Sequence, residues 1–402
     1  MIMSKPVLLF YCQHSLGMGH LMRACHLVRQ LTREFRVVFL NGGPIPEGVP
    51  MPAEAEIVNL PPLGMDEDSA LISRDGNISV EQAQAERKAL ILALLEAHKP
   101  AAVVIELFPF GRKKFAFELL PLLKTIQRMD ASRRPRVLCS LRDIIVGGRK
   151  DQLRHDNRAA WLINRYFDGV LLHSDPAFAR LEESFHPSLP LRKPLLYTGF
   201  VAPEAQSTDE PQGTRQVLIS AGGGIVGGGL YNAAIDAHAL LWPELALPMT
   251  IVAGPFLPEE EWRSLQQRAA GIAGLTLLRS VPKLGALMRE FSCSVSQCGY
   301  NTAMDLMQAG IPALVVPFSE GDKDEQMNRA RRLEQLGLLR VLEAGLLCPG
   351  ALATEIRRLQ TFRPATSALN FNGAEDSLRL VRHLVNTGAE EAANQTETSC
   401  AA

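Results

Sequence analysis

Two apolar runs in this 402-residue chain, Val7–Cys12 and Gln216–Ala221, each lead into a glycine-bearing turn and then a helical pattern. Each also opens a train of short strand-like runs separated by amphipathic stretches. After the first come Arg36–Leu40, Ala102–Leu107, Arg136–Leu141, Gly169–His173 and Leu195–Thr198; after the second come Thr250–Ala253, Leu275–Leu278, Cys293–Ser296, Ala313–Val316 and Leu339–Leu342. Short β-branched runs alternating with helices predict parallel sheets covered on both faces, an α/β class. Helical periodicity is clearest over His20–Thr32 and over Val80–His98, the latter opened by Ser79 as N-cap and closed by Lys99-Pro100. The pattern occurs twice, and the length exceeds the roughly 250–300 residues at which a single core stops growing. Two tandem Rossmann-like, doubly wound domains are therefore expected.

The break between them falls in Pro203–Thr214 (PEAQSTDEPQGT), which carries two prolines and almost nothing to bury. The expected organisation is an N-terminal domain over 1–200, a linker over 201–214, a C-terminal domain over 215–373, a closing helix over 374–387 and a disordered, small-residue polar tail over 388–402. With 47% hydrophobic and 21% charged residues the chain is globular, and a net charge of −1 argues against nucleic acid as a partner. That total conceals an asymmetry: residues 1–200 hold 26 Lys+Arg against 21 Asp+Glu, the remainder 16 against 22. The basic excess lies between Glu106 and Arg158, where it suits an anionic membrane surface or acceptor, or equally a solvated face. Seven scattered cysteines read as reduced core residues and offer no zinc spacing, so no structural metal is expected; no cofactor is expected either. Val7–Cys12 reads as a first strand rather than a signal peptide, and no apolar stretch approaches the ~18 residues of a bilayer span. A cytoplasmic location, with at most peripheral membrane contact, is the expectation.

Four segments carry chemistry. In Ser15-Leu-Gly17-Met-Gly19-His20, glycines permit a tight turn at a helix start, where exposed amides favour negative charge. A nicotinamide dinucleotide reading fails on the missing third glycine and on Asn41-Gly42-Gly43, where the ribose-binding acid would stand. His20 at such a position can act as a base toward a hydroxyl, or simply cap the helix, with Arg23 one turn on. Gly222 to Gly229 has six glycines in eight positions directly after a strand, so its bare amides can curl around a diphosphate. In Ser296-Gln-Cys-Gly299-Tyr-Asn301-Thr302-Ala-Met-Asp305 a strand ends in a Gly turn and a capped helix begins, and Asp305 can accept two hydrogen bonds from a ribose diol. In Gly321 to Ala330, Glu325 and Gln326 can meet sugar hydroxyls.

In this order the segments resemble the GT-B glycosyltransferases, and among them family 28, which includes transferases of peptidoglycan-lipid and galactolipid synthesis. The resemblance covers the whole chain in layout and is most specific over Ser296–Ala330. It implies two domains facing a cleft, a nucleotide diphosphate sugar (a UDP-sugar) on the C-terminal domain and an acceptor on the N-terminal one. By motif it implies that Gly222, Gly223, Gly224, Gly227, Gly299, Asn301 and Thr302 face the diphosphate, with Val281 at the base, Asp305 at the ribose (a shorter acid than the usual Glu) and Glu325 and Gln326 at the donor sugar. His20 takes the place of the family's N-terminal loop histidine as the catalytic base; Gly17, Gly19, Arg23, Glu106 and Arg112 fall on the acceptor side, and no metal is required. Phe108 and Phe110 beside Arg112, Lys113 and Lys114 would suit a lipid-linked or phosphorylated acceptor, or serve as core aromatics. Two acid-x-acid sets, Asp66-Glu-Asp68 and Asp322-Lys-Asp324, have the form that metal-using transferases exploit. Gly17 to Arg23, as Gly-x-Gly-His-x-x-Arg, is also similar to nucleotide-sugar hydrolases of nonulosonic acid synthesis. Hydrolysis of the same donor, or non-catalytic nucleotide-sugar binding, are thus the alternatives to hexosyl transfer.

Overall fold

A computed structural model describes residues 5–14, 19–45, 49–66, 70–145, 150–203, 214–318 and 325–400, with side chains described as far as 388. Gly17, Glu67, Asp68, Asp322, Asp324 and residues 204–213 of the expected linker lie outside the described residues. Contacts divide the chain into two compact units, the first comprising Met1–Ile145, Arg149–Val201 and Leu369–Ala402, the second chiefly Ala202–Ala368.

The first unit has strands β1 (Val7–Cys12), β2 (Arg36–Asn41), β3 (Glu56–Asn59), β4 (Leu63–Met65), β5 (Leu71–Ser73), β6 (Ala102–Glu106), β7 (Arg136–Arg142), β8 (Gly169–His173) and β9 (Leu195–Tyr197), with helices α1 (Gly19–Leu31), α2 (Val80–His98), α3 (Ala116–Gln127) and α4 (Gln152–Tyr166). Seven strands form one parallel sheet in the order β3-β2-β1-β6-β7-β8-β9, and β4 pairs with β5 as a separate antiparallel hairpin. Alternate residues of β1 serve opposite faces: Leu9 and Tyr11 join one buried cluster, Leu8, Phe10 and Cys12 the other. Ser79 Oγ accepts from the Gln82 amide at 3.1 Å and Lys99 closes α2 in the left-handed conformation, as the cap residues predict. The half-buried edge strand β3 and the three-residue strands β4 and β5 carry too little apolar pattern to be seen in the sequence.

The second unit has β10 (Thr214–Ser220), β11 (Met249–Val252), β12 (Leu275–Leu278), β13 (Phe291–Ser296), β14 (Ala313–Val315) and β15 (Arg340–Val341), with α5 (Gly228–Leu245), α6 (Glu259–Ala269), α7 (Leu284–Met288), α8 (Tyr300–Ala309), α9 (Glu325–Gln335) and α10 (Pro349–Leu359). Its parallel sheet runs β12-β11-β10-β13-β14-β15. The chain then returns to the first unit as α11 (Gly373–Cys400), whose Leu378 and Val381 bury against Leu21 and Val28 of α1 while Arg382 pairs with Glu34. The helix continues through residues 388–400, where composition predicts a structureless tail. Ala- and Glu-rich sequence is a good helix former and propagates a helix already anchored by packing.

Both sheets have the doubly wound strand order, and in such sheets ligands bind beyond the carboxyl ends of the strands where the order reverses. That point lies between β1 and β6 in the first unit and between β10 and β13 in the second.

Candidate active site

At the reversal point of the first unit, α1 begins with Gly19 and His20, and β6 ends in Glu106. His20 Nδ1 lies 2.6 Å from Glu106 Oε1, and the guanidinium of Arg23, one turn along α1, donates to the same oxygen. Glu106 and Arg23 are fully buried, whereas the His20 side chain keeps 19% of its surface. Burial would raise the Glu106 carboxyl, but His20, Arg23 and Arg112 around it reverse the effect and hold it well below the usual carboxylate range. Burial lowers His20 to about 4, against the opposing pull of Glu106. At neutral pH the pair is therefore a carboxylate and a neutral imidazole. With Nδ1–H donated to Glu106, the lone pair of Nε2 is left available as a base.

The sequence places Glu106 and Arg23 along an acceptor surface; in the folded chain both are buried and set the orientation and charge of His20. The signal for this was an acid ending an otherwise apolar strand, Ala102–Glu106, beside the strand that leads to His20. Arg112 is half-buried with φ 55°, and Leu107 has φ 66°, so the turn after β6 holds two non-glycine residues in the left-handed region. Phe108 and Phe110 are 1% exposed and belong to the core, not to an acceptor surface. Among the described residues nothing stands within 4 Å of where a side chain on Gly19 would begin.

A second buried network shapes the neighbouring loops. Arg87 of α2 forms a fully buried pair with Glu118 of α3, at 2.7 Å through both Nε and an η nitrogen. The same guanidinium donates to Gln13 Oε1 at 2.7 Å and to the carbonyls of Gly42 and Pro61 at 2.9 Å each. One side chain thus ties the loops following β1, β2 and β3. A Cβ on Gly43 would stand 2.3 Å from the His14 carbonyl oxygen, which is why the Asn41-Gly42-Gly43 turn needs glycine there. His14 joins it through Nε2, 2.9 Å from Asn41 Oδ1.

In the second unit the loop after β10 is folded onto the loop after β11. Gly222 and Gly224 have φ of 56° and 91°, and a Cβ on Gly224 would stand 2.2 Å from the Ala253 carbonyl oxygen. The Gly224 and Gly227 amides donate to Ala221 O and Gly224 O at 3.0 Å, while no backbone bond ties the Gly222 and Gly223 amides among the described residues. Gly227 caps α5, packed on the Tyr231 ring. Thr302, in the first turn of α8, approaches the glycine loop: its Oγ1 is 3.6 Å from the Cβ position of Gly222. Gly299 caps α8 and Asn301 lies in that same first turn. The loop and the helix N-terminus together form an anion-favouring corner.

Asp305, one turn further along α8, is half-buried, with Oδ1 only 2.6 Å from the Cβ position of Gly285 on α7. Burial raises its carboxyl to about 7. Val281 is half-buried in the segment joining β12 to α7. Gln326 has a role the sequence did not disclose: its Oε1 accepts from the Cys298 and Phe318 amides at 3.1 and 3.2 Å. Glu325 pairs with the buried Arg329 at 3.3 Å, and Arg329 donates to Cys298 O at 2.9 Å and lies over the Tyr300 ring. The start of α9 therefore braces the turn into α8.

Residues 232–380 match the model of the glycosyltransferase family 28 C-terminal domain. Across the chain, the solved structures it is similar to include Acinetobacter baumannii MurG (TM-score 0.55, 15% identity, 96% of this chain and 99% of that one) and a Polygonum tinctorium UDP-glucosyltransferase capable of glucosylating indoxyl (TM-score 0.58, 17% identity, 96% and 99%). The chain has the GT-B fold, and its residues 232–380 match a glycosyltransferase family 28 C-terminal domain. Among curated relatives, the Thermotoga maritima UDP-N-acetylglucosamine–N-acetylmuramyl-(pentapeptide) pyrophosphoryl-undecaprenol N-acetylglucosamine transferase is 22% identical over 136 residues, 34% of this chain. The match spans 38% of that relative's length. Asn301, Thr302, Asp305, Glu325 and Gln326 fall inside the matched family 28 domain; the glycine loop just precedes it.

That loop supplies a direct test of the second unit. Gly224→Ala forces a Cβ onto the Ala253 carbonyl at a φ that side chains rarely adopt. It is expected to destabilise the second unit by about 1–3 kcal/mol, read as a lower melting transition. Gly222→Ala, with its nearest neighbour at 3.6 Å, should cost less.

Proposed function

We propose that this family 28-like chain is a hexosyltransferase that moves a sugar from a nucleotide diphosphate, a UDP-sugar, to an acceptor hydroxyl with inversion. The observation that carries the reading is the His20–Glu106 pair, a neutral imidazole oriented by a buried carboxylate 2.6 Å away at the ligand-binding edge of its sheet. A protein that only bound nucleotide sugars would have no use for such a base, so the pair favours catalysis over the binding-only alternative.

In the proposed step, His20 Nε2 takes the acceptor hydroxyl proton as that oxygen bonds to the anomeric carbon and the bond from that carbon to the diphosphate oxygen breaks. Glu106 stabilises the imidazolium that forms, as the orienting carboxylate of a catalytic triad does. The Gly222 and Gly223 amides, in the loop that Gly224 and Gly227 shape, hold the departing diphosphate together with Gly299, Asn301 and Thr302 at the start of α8, a role that needs no metal. Asp305 accepts from the ribose hydroxyls, Val281 meets the base, and Glu325 lies toward the sugar with Gln326 bracing its turn. Gly17, Gly19 and Arg112 belong to the acceptor side, while Arg23 acts on His20 through Glu106. On this reading the acceptor is lipid-linked or a polysaccharide precursor and the enzyme works at the cytoplasmic face of a membrane; no helix among the described residues is long and apolar enough to cross one.

Two tests follow. Incubation with a UDP-sugar and no acceptor should leave the donor intact; stoichiometric free sugar would instead establish the hydrolase. UDP affinity should also depend on pH. Asp305 must be ionised to accept two hydrogen bonds, and burial raises it to about 7, so affinity should rise with pH and level off above that value. Below it each pH unit should cost up to about tenfold. A flat profile would remove Asp305 from the ribose site.

A further inference from the structure

Each of the fully buried arginines answers to a carboxylate: Arg23 to Glu106, Arg87 to Glu118 and Arg329 to Glu325. Arg112 does not. Its side chain is half-buried, its Nε is shut off from solvent without an acceptor, and its guanidinium makes no hydrogen bond or ion pair among the described residues. A buried donor left unmatched costs its full desolvation, so the position calls for a reason.

The fold holds this cation firmly in place. Phe108 and Phe110 pin the turn leaving β6 to the core, with Phe110 edge-on to Phe185 at 5.0 Å. The Gly111 amide donates to Leu107 O at 2.9 Å and the Phe115 amide to Arg112 O at 2.8 Å. Leu107 and Arg112 hold φ of 66° and 55°, a conformation that side chains seldom adopt and that folds retain mainly at functional sites. The turn follows Glu106 directly, so Arg112 is delivered to the sheet edge where His20 and Glu106 meet. Its charge is felt by Cys12, His14, His20 and Glu106. Of these only Glu106 is a carboxylate, and His20 and Arg23 already share its Oε1.

We propose that Arg112 determines which acceptor is used and that the acceptor is an acidic sugar, its carboxylate or phosphate bound by the Arg112 guanidinium beside the reacting hydroxyl. This rests on the transferase reading above and names its acceptor class. The charges around the base favour it. Glu106, Arg23 and Arg112 face His20, one negative group and two positive, and the proposed proton transfer adds a further positive charge on the imidazole. Arg112 opposes that charge, as like charges do. An anion on the acceptor cancels the opposition as the hydroxyl arrives, so a neutral alcohol or water meets a poorer base than the acidic sugar does. The same cation thus selects the acceptor and disfavours hydrolysis. A guanidinium fork is the side chain best matched to such an oxyanion, since it can donate two parallel hydrogen bonds.

The test is titration of the isotope-labelled full chain, saturated with UDP to fill the donor site, read on the His20 imidazole resonances. The probes are methyl glucuronide, glucose 6-phosphate, neutral methyl glucoside, and inorganic phosphate as the anion alone. An acidic sugar should bind at least about tenfold more tightly than the glucoside, the scale of one charge-assisted hydrogen bond. It should also raise the His20 pKa from about 4 toward the ordinary histidine range. Which probe does so identifies the acceptor as a uronate or a phosphorylated sugar. Arg112→Gln should erase the preference, raise the His20 pKa by itself and leave UDP affinity at the wild-type value. Arg112→Gly, which relieves the backbone at φ 55°, should do the same and so exclude a folding defect as the cause. Inorganic phosphate bound as tightly as the acidic sugars, or a preference that survives in Arg112→Gln, would overturn the proposal. So would a His20 pKa unmoved by saturating acidic sugar, the result expected of a guanidinium closed on Glu106. UDP bound without any preference for acidic sugars would overturn this proposal alone, whereas failure to bind UDP would take the transferase reading with it.

Discussion

His20→Ala is expected to lower kcat for sugar transfer by roughly 10²–10⁴-fold, the range of a positioned general base, while UDP affinity stays at the wild-type value. The split follows from where the groups lie. His20 belongs to the first unit, and every residue assigned to the nucleotide belongs to the second. Glu106→Gln is expected to keep the shape but lose most of the rate, because a neutral amide neither fixes the Nδ1–H tautomer as firmly nor stabilises the imidazolium. It should also leave Arg23 buried beside a neutral group, so a thermal scan must accompany the kinetics. The pH profile separates this base from one titrating near neutrality. Burial lowers His20 to about 4, so the active neutral form persists down to that value and the histidine limb of the rate should fall only below about pH 4 to 5. For stability the sign is the same: the unfolded chain binds the proton first, so this contribution is complete above the ordinary histidine range and is lost as pH falls toward 4. A histidine limb near pH 6.5 would show that His20 is not held as the geometry indicates.

The second large effect is on folding. Arg87→Met should destabilise the first unit by about 3–5 kcal/mol, since it strands the Glu118 carboxylate in a dry core. At about 2–4 °C per kcal/mol for a unit of this size, the corresponding melting transition should drop by roughly 10 °C, while the second unit's transition stays in place. Arg87→Met with Glu118→Leu should recover much of that loss, because two apolar groups leave no charge unpaired. The loops would still lack a donor for Gly42 O, Pro61 O and Gln13, so transfer activity should remain low after stability returns. Recovery of both together would mean that the pair serves packing alone.

The strands and glycine turns were legible because each obeys a local rule. Val7–Cys12 is apolar throughout because both faces of its sheet are covered, and Gly222 and Gly224 are glycines because their backbones take positive φ. The roles that escaped were set by residues far apart in sequence. Glu106 reads as an acceptor-side acid until β6 is placed beside β1, and nothing in the sequence marks Arg87 and Glu118 until both prove buried against each other. Gln326 reads as a sugar ligand by position, yet its carbonyl oxygen is committed to two backbone amides. Phe108 and Phe110, beside three cations in sequence, point into the core while the cations stay at the surface or turn toward Glu106.

Calorimetric titration of the full chain with UDP, alongside Asp305→Ala, tests the transferase most directly. Saturable binding by the wild type, weakened at least about tenfold in the variant by loss of a charged hydrogen-bond acceptor, is the expected result. Absence of binding to UDP and to the other nucleoside diphosphates would contradict a donor site in the family 28 domain, and with it sugar transfer from a nucleotide.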